Sequence, residues 1–410
     1  MLGEGREGIK HMQPLQGITV VDLSISVSGP MAAAMLADAG ARVIKIERVT
    51  GELTSEWDSV VHGMSSSYVW NARNKESVAL DLKDARGLEA VHRLVERADV
   101  VIENFSPGTA ERIGVGYAAL SAKNPRLIYC HISGYGQEGP YRGERAFDFL
   151  VQGECGLIAM NGTPEEACKV PLSIADISAA MYAAQAVTLA LIARERTGVG
   201  DEIDISMQHC LLSWMGYHAY FAWFRDQNPQ RIGSRHHLLV PYGPFLCSDG
   251  VYVNVAVLSQ AVWRTFCEQV IRQPELAADP RFATNESRVR NRDELDAIVA
   301  TAFRVHPRVY WDELLHDLGI PCGQVLELKE ALEHPQVVAR GVVQQAPSRR
   351  GAVPAISSPM RAARMEMRYD GVPVTGEHTR GVLRETGFST DEIDAMLRAG
   401  ACREADAGHE

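Results

Sequence analysis

Short β-branched runs alternate with longer stretches of helical periodicity through the first half of the chain. Ile18–Leu23 (ITVVDL) is an uninterrupted apolar run of the kind buried in a parallel sheet. It leads through SISVSGP into an Ala-rich helix over Met31–Ala39 and a second strand over Arg42–Ile46, ending in Glu47. That succession is a βαβ unit, with Ser28 as candidate N-cap and Pro30 in the first turn of the helix. Val78–Leu82 reads as strand or turn, Arg86–Ala98 as an amphipathic helix, and Val100–Glu103 and Leu127–Ile132 as strands. A long helix is expected from Asp176 to Arg194, then a strand over Glu202–Ile205 and a helix over Met207–Trp223. The pattern predicts an α/β fold, a Rossmann-like large domain with a mainly parallel sheet.

The pattern changes after residue 225. Arg225–Ser234 is polar and holds Pro and Gly, so it reads as a linker. PYGPFLCSDGVYVNVAV then predicts two strands around a Ser-Asp-Gly turn, and helices follow over Gln260–Ile271, Asp293–Arg304 and Tyr310–Leu318. The expected organisation is a flexible tail over 1–14, a large domain over 15–225, a small α+β domain over 226–325, a return segment over 326–400 and a tail over 401–410. The last helix is expected over Thr390–Ala399.

Composition narrows the function classes. Of 410 residues 46% are hydrophobic and 23% charged, which excludes wholesale disorder. The net charge of −11, without a basic block, argues against nucleic acid as partner. Eight scattered cysteines without a C-x-x-C pair point to reduced, mostly buried thiols in the cytoplasm. MLGEGREGIKHM lacks the apolar core of a secretory signal. The longest apolar stretch, Ala179–Ala193, is shorter than the roughly 20 residues that span a bilayer, so a soluble chain without membrane contact is expected.

Motifs of the common cofactors are missing. The loop after the first strand, S-I-S-V-S-G-P, has one glycine and not G-x-G-x-x-G, which argues against NAD, although Glu47 sits where a ribose-binding acid would. A helix N-terminus there is still able to hold a phosphate. None of the 13 histidines has metal-ligand spacing, and His236–His237 is the only tight pair. Asp176, in VPLSIADISAAMYAAQ, stands at the junction of an extended stretch and a long helix. Two readings use that position: a helix N-cap, or a carboxylate kept ionised by the helix terminus and available as a nucleophile.

Several ordered blocks decide between them. PLQGITVVDLSISVSGPMAAAMLADAGARVIKIER, NARNKESVALDLKDARG, ADVVIENFSPGTAERIGVGY, LIYCHISGYGQEGPY, VPLSIADISAAMYAA and GVGDEIDISMQ follow one another along the chain. From about Leu15 to Gly400 the chain resembles the family III CoA-transferases, the CaiB/BaiF group, which also includes the α-methylacyl-CoA racemases. The resemblance implies that Asp176 is the catalytic carboxylate. It implies CoA-binding positions at Arg48, Leu80, Lys83, Asn104, Phe105, Arg112 and Met207, with Val27 and Ser28 in the pantetheine-facing loop. Cations suit the phosphates of CoA, and Phe105 and Leu80 offer apolar surface for adenine. The racemases of the group carry a His and a Glu where this chain has Phe147 and Ser259, neither able to relay a proton, so a transferase is favoured.

The resemblance further implies a ring-shaped subunit in an interlocked homodimer. CoA and acyl-CoA enter as substrates, with small carboxylic acids as the other partner; no permanently bound cofactor, NAD or metal is expected. Tyr135, Gln137, Arg235, His236 and Tyr242 are candidates to receive the acid, a short dicarboxylate being favoured. GECGL (153–157) and Gly134–Gln137 are candidates for the oxyanion donors. The alternatives are an acyl-CoA racemase or isomerase of the same family, and a non-catalytic CoA-binding protein.

Overall fold

A seven-stranded sheet organises the larger of two compact units, and the first βαβ segment supplies its centre. The computed structural model describes residues 12–225 and 227–405. Its larger unit takes the chain up to Cys155, Val170–Gly216, and the chain from Gln336 onward. In order it contains β1 (Thr19–Asp22), α1 (Ser28–Asp38), β2 (Arg42–Glu47), α2 (Ser66–Ala72), β3 (Lys75–Leu80), α3 (Ala85–Val95) and β4 (Val100–Glu103). There follow α4 (Thr109–Ile113), α5 (Tyr117–Ser121), β5 (Ile128–Ser133) and α6 (Asp148–Glu154). After α7 (Leu157–Met160), which belongs to the smaller unit, come α8 (Ile174–Thr197), β6 (Asp201–Ser206) and α9 (Met207–Trp214).

Six strands run parallel in the order β3-β2-β1-β4-β5-β6. Because the chain builds outward from β1 in both directions, the order reverses between β1 and β4. In open α/β sheets that switch point opens a crevice beyond the C-terminal strand ends. The strands are apolar because helices cover them: Val20, Val21, Val100, Val101 and Ile102 are fully buried. Val343–Ala346 and Val353–Ile356 pair as a separate antiparallel hairpin, and Val353 joins Met64, Tyr68 and Val69 in a satellite core.

α1 and α8 pack against each other. Both faces are built from small residues, Ala32, Ala33, Ala34 and Ala37 meeting a helix whose Ala179, Ala180 and Ala183 are equally buried. By length and composition α8 is apolar enough to cross a membrane, where the sequence reading found only the shorter run Ala179–Ala193. The difference arises because the helix extends past that run at both ends, taking in Ile174–Ser178 and Arg194–Thr197.

Other boundaries moved for identifiable reasons. The helix expected from Met31 begins at Ser28, with Val27 and not Ser28 at the N-cap. The helix expected over Met207–Trp223 is two helices, α9 and α10 (His218–Arg225), parted at Gly216, whose φ is +52°. The helix expected over Gln260–Ile271 is α-helical to Thr265 and then turns into a π-helical Phe266–Val270. Cys402–Arg403, expected in a tail, forms an edge strand antiparallel to β3, since Ala401 and Cys402 bury apolar surface in the core of this unit. The remainder of the expected tails, up to residue 11 and from 406, lies outside the described residues.

The smaller unit is Gly156–Lys169 with Tyr217–Pro335. It holds a three-stranded antiparallel sheet of Tyr242–Leu246, Tyr252–Ala256 and Cys322–Gln324 over a core that includes Trp263, Phe266, Phe282, Phe303 and Trp311. The polar stretch read as a linker is anchored there. Arg231 donates to the carbonyls of Thr163, Ala159 and Pro164, which ties it to the 156–169 excursion.

Candidate active site

The loop between β1 and α1 forms one wall of the switch-point crevice, and buried side chains determine its path. Asp22, the last residue of β1, accepts from the Ser24 N–H at 3.0 Å and from its hydroxyl. Ile25 is held from the next strand, its N–H donating to Asn104 Oδ1 and its carbonyl accepting from Asn104 Nδ2, both at 2.7 Å. Asn104 Nδ2 also reaches Ser28 Oγ at 3.2 Å. Gly29 permits the fold-back: a Cβ there would stand 2.2 Å from the Cβ of Ser24.

Ser28, the first residue of α1, lies beside the carboxylate of Asp176, where its hydroxyl and backbone N–H favour the charged form. Asp176 is not an N-cap. α8 begins at Ile174 with Ser173 at the cap position, so Asp176 is its third residue. The capping task falls to Asp148, the first residue of α6, whose Oδ1 accepts from the Ala175 N–H at 2.9 Å and whose Oδ2 accepts from Gln152 at 2.7 Å. Asp176 is therefore released from backbone duty in its own helix and set beside the N-terminus of another. Burial raises its pKa to about 6, the Asp148 carboxylate adds to the rise, and the polar groups of Ser28 oppose it.

The residues marked for CoA lie along the strand ends of this unit. Arg48 follows β2, Leu80 ends β3 with Lys83 after it, Asn104 and Phe105 follow β4, Arg112 is on α4, Val27 precedes α1 and Met207 begins α9. Arg48, Lys83 and Arg112 are exposed, and none of them is in an ion pair among the described residues. Leu80 is sealed in the core while Phe105 is half-buried against it, so Phe105 offers the accessible apolar face. Glu47 is unavailable to a ribose, being buried and bonded by Tyr68, Ser77, Thr375 and the Glu52 N–H.

The residues marked for the acid divide between the units. Tyr135 and Gln137 belong to the larger one. Burial pushes the Tyr135 hydroxyl up to about 12, helped by the Glu154 carboxylate. Arg235, His236 and Tyr242 belong to the smaller one. Arg235 is paired with Asp293 at 2.8 Å and Asp296 at 3.4 Å. His236 packs on Tyr242 with ring centroids 4.8 Å apart, and burial lowers its pKa.

The proposed oxyanion donors are largely engaged. The Gly136 N–H goes to Ser133 Oγ and the Gln137 N–H to Asp204, each at 2.9 Å, and Cys155 donates within its helix to Val151. At the two positions that separate racemases from transferases, Phe147 is exposed ahead of α6 and Ser259 caps the helix Gln260–Thr265.

Sequence reasoning missed Asp148 and the charged groups beneath the loop. Lys45 and Lys75 are buried in the strands RVIKIE and KESVAL, with Nζ of Lys75 2.9 Å from Asp22 and Nζ of Lys45 3.2 Å from Glu52. The signal was present: a lysine inside a strand that is otherwise buried on both faces requires a partner.

Comparison with known proteins identifies the family of the chain. The profile of CoA-transferase family III matches residues 15–379. The acetyl-CoA:oxalate CoA-transferase of Acetobacter aceti is 36% identical over 82% of this chain and 86% of its own length. The human succinyl-CoA:glutarate CoA-transferase is 31% identical over 97% and 92%. A crystal structure of a CaiB/BaiF family protein from Brucella suis superposes with a TM-score of 0.82 at 33% identity, covering 91% of this chain and 99% of that one. With a parallel-dominated α/β sheet common to both and a match over nearly its whole length, the chain belongs to CoA-transferase family III.

Proposed function

We propose that the protein moves CoA from an acyl-CoA to a free carboxylic acid, with Asp176 as nucleophile and a short dicarboxylate among its acids. The observation that carries this reading is the Asp176 carboxylate itself: mostly buried, beside Ser28 at the N-terminus of α1, and relieved of helix capping by Asp148. The relatives named above act as CoA-transferases on oxalate and on glutarate with succinyl-CoA, which supports the choice of acid.

The chemistry follows from a carboxylate nucleophile. Asp176 attacks the donor thioester carbonyl, forming a mixed anhydride and expelling CoA thiolate. The thiolate attacks the aspartyl carbonyl of that anhydride, releasing the donor acid and leaving an aspartyl-CoA thioester. The acceptor carboxylate displaces the thiolate to give a second anhydride. Attack of the thiolate on the acceptor carbonyl yields the new acyl-CoA and restores the carboxylate. Thioester energy is handed on without hydrolysis, so the scheme uses no ATP, NAD or metal. Arg48, Lys83 and Arg112 take the CoA phosphates, Phe105 the adenine, and Val27, Ser28 and Met207 the thiol arm. The reading includes a cytoplasmic homodimer of interlocked rings.

A panel of acyl-CoA donors and acids, followed by hydroxylamine or borohydride trapping and peptide mass spectrometry, tests it. Exchange with modification at Asp176 is expected. Modification at another residue, or α-deuteration of a 2-methylacyl-CoA in D2O without exchange, overturns it.

A further inference from the structure

The loop Leu23–Val27 and the first turn of α1 are held from beneath by four charged side chains that the chemistry above does not use. Asp22, Lys45, Glu52 and Lys75 are each no more than 5% exposed. Lys75 Nζ lies 2.9 Å from Asp22 Oδ2 and donates to the Pro30 carbonyl at 2.7 Å. Lys45 Nζ donates to the Ser24 carbonyl and pairs with Glu52 at 3.2 Å. Glu52 Oε1 in turn accepts from the Ser26 N–H at 2.9 Å, where the backbone has a φ of +67°, a conformation non-glycine residues seldom hold unaided. The loop, at Ser24 and Ser26, and the first turn of α1, at Pro30, are thus bonded to one buried cluster. The cavity left between loop and cluster, lined by Ser26, Pro30, Lys45, Glu52, Asn71 and Lys75, is about 10 Å³, room for one water at most.

Buried ion pairs of this kind are seldom the most stabilising way to fill a core, since apolar side chains of equal size often serve as well. What the ammonium groups supply here is one donor aimed at a carbonyl of the loop and one at a carbonyl in the first turn of α1. We propose that Lys45 and Lys75 are positioning residues for the nucleophile, pinning the Ser24 and Pro30 carbonyls so that the Ser28 hydroxyl and N–H meet the Asp176 carboxylate. The proposal rests on the assignment of Asp176 as nucleophile.

Neutralised pairs test it, Lys75→Met with Asp22→Asn and Lys45→Met with Glu52→Gln, each removing a carbonyl pin without leaving a lone buried charge. The control is Arg194→Met, which breaks a buried pair with Asp99 (2.7 Å) elsewhere in the same unit. Folding is followed by circular dichroism and melting, turnover by kcat and KM, and the nucleophile by the acid limb of kcat/KM. The charged group facing Asp176 is Asp148 from α6, while α1 contributes only Ser28, so Asp148→Asn separates the influence of that neighbour. The expected result in the neutralised pairs is a kcat loss of about 10-fold or more with KM for acyl-CoA little changed. The acid limb should move upward by about one pH unit as Ser28 moves away from the carboxylate. Ser28→Ala should move it the same way, and Arg194→Met should lower the melting temperature only. Should a double variant not fold, Glu52→Gln alone is read, with a smaller shift in the same direction. A folded variant with the wild-type limb and kcat overturns the proposal. Failure to trap Asp176 in the wild type would instead overturn the nucleophile assignment.

Discussion

At Asp176, burial and the Asp148 field favour the proton while Ser28 favours the charge, and the balance sets the carboxyl near pH 6. The nucleophile must be ionised, so kcat/KM should rise with pH to a plateau above about 7, with Asp176→Ala lowering exchange by at least about 1000-fold. The same shift makes a stability statement. A carboxyl whose pKa is raised from 3.8 in the folded state contributes stability below the unfolded value and loses it as pH rises through about 6. Asp176→Asn should therefore melt higher than the wild type at pH 7–8, by the equivalent of about 1–3 kcal/mol, with the advantage gone at pH 4. Equal melting curves at both pH values would contradict this. Single replacements of Arg48, Lys83 or Arg112 by Ala should raise KM for acyl-CoA about 3- to 10-fold, more at low salt, and leave kcat nearly unchanged. Asp176 itself was visible in the chain as an acid at a helix start, a pattern that reads equally as a cap. What distinguishes the two is Asp148, 28 residues earlier in sequence, and no local window contains both.

The elements of the βαβ core were legible because strands buried on both faces are continuous apolar runs and α1 is bounded by a loop rich in serine. Their ends were less so, because tertiary partners set them: α8 starts where Asp148 caps it, and α9 ends just before Gly216 inside a run rich in apolar residues. Three substitutions test these close contacts. Gly29→Ala should push the Ser24 side chain out of the loop, lowering both melting temperature and kcat, whereas an alanine at an open helical position would stabilise. Asp148→Ala removes the acceptor for the Ala175 N–H and should cost about 1–2 kcal/mol. Asp148→Asn retains an acceptor and should lower the acid limb of kcat/KM by removing the like charge, a separation that pH–rate profiles and thermal melts resolve together.

At the scale of the molecule, the change of pattern after Arg225 marked a second unit, but the sequence offered no hint that Gly156–Lys169 belongs to it. That short excursion has no composition of its own; it is held by the guanidinium of Arg231, a long-range contact. On α8, Met181, Leu189 and Ile192 are 46%, 59% and 51% exposed in the single chain. A dimer of twice 45.0 kDa is the expected mass in light scattering. If the rings interlock, tagged and untagged dimers mixed under native conditions should fail to exchange subunits until denaturant is added; ready exchange would rule the interlock out. The strand Cys402–Arg403 has a consequence for synthesis. It covers the outer edge of β3, and Val382, Leu383, Ile393 and Met396 close the core beneath it. During translation, therefore, β3 leaves the ribosome more than 300 residues before its edge partner. For that interval its backbone edge is open to other nascent chains. A chain cut after Gly400 should aggregate on refolding at concentrations where the full chain recovers.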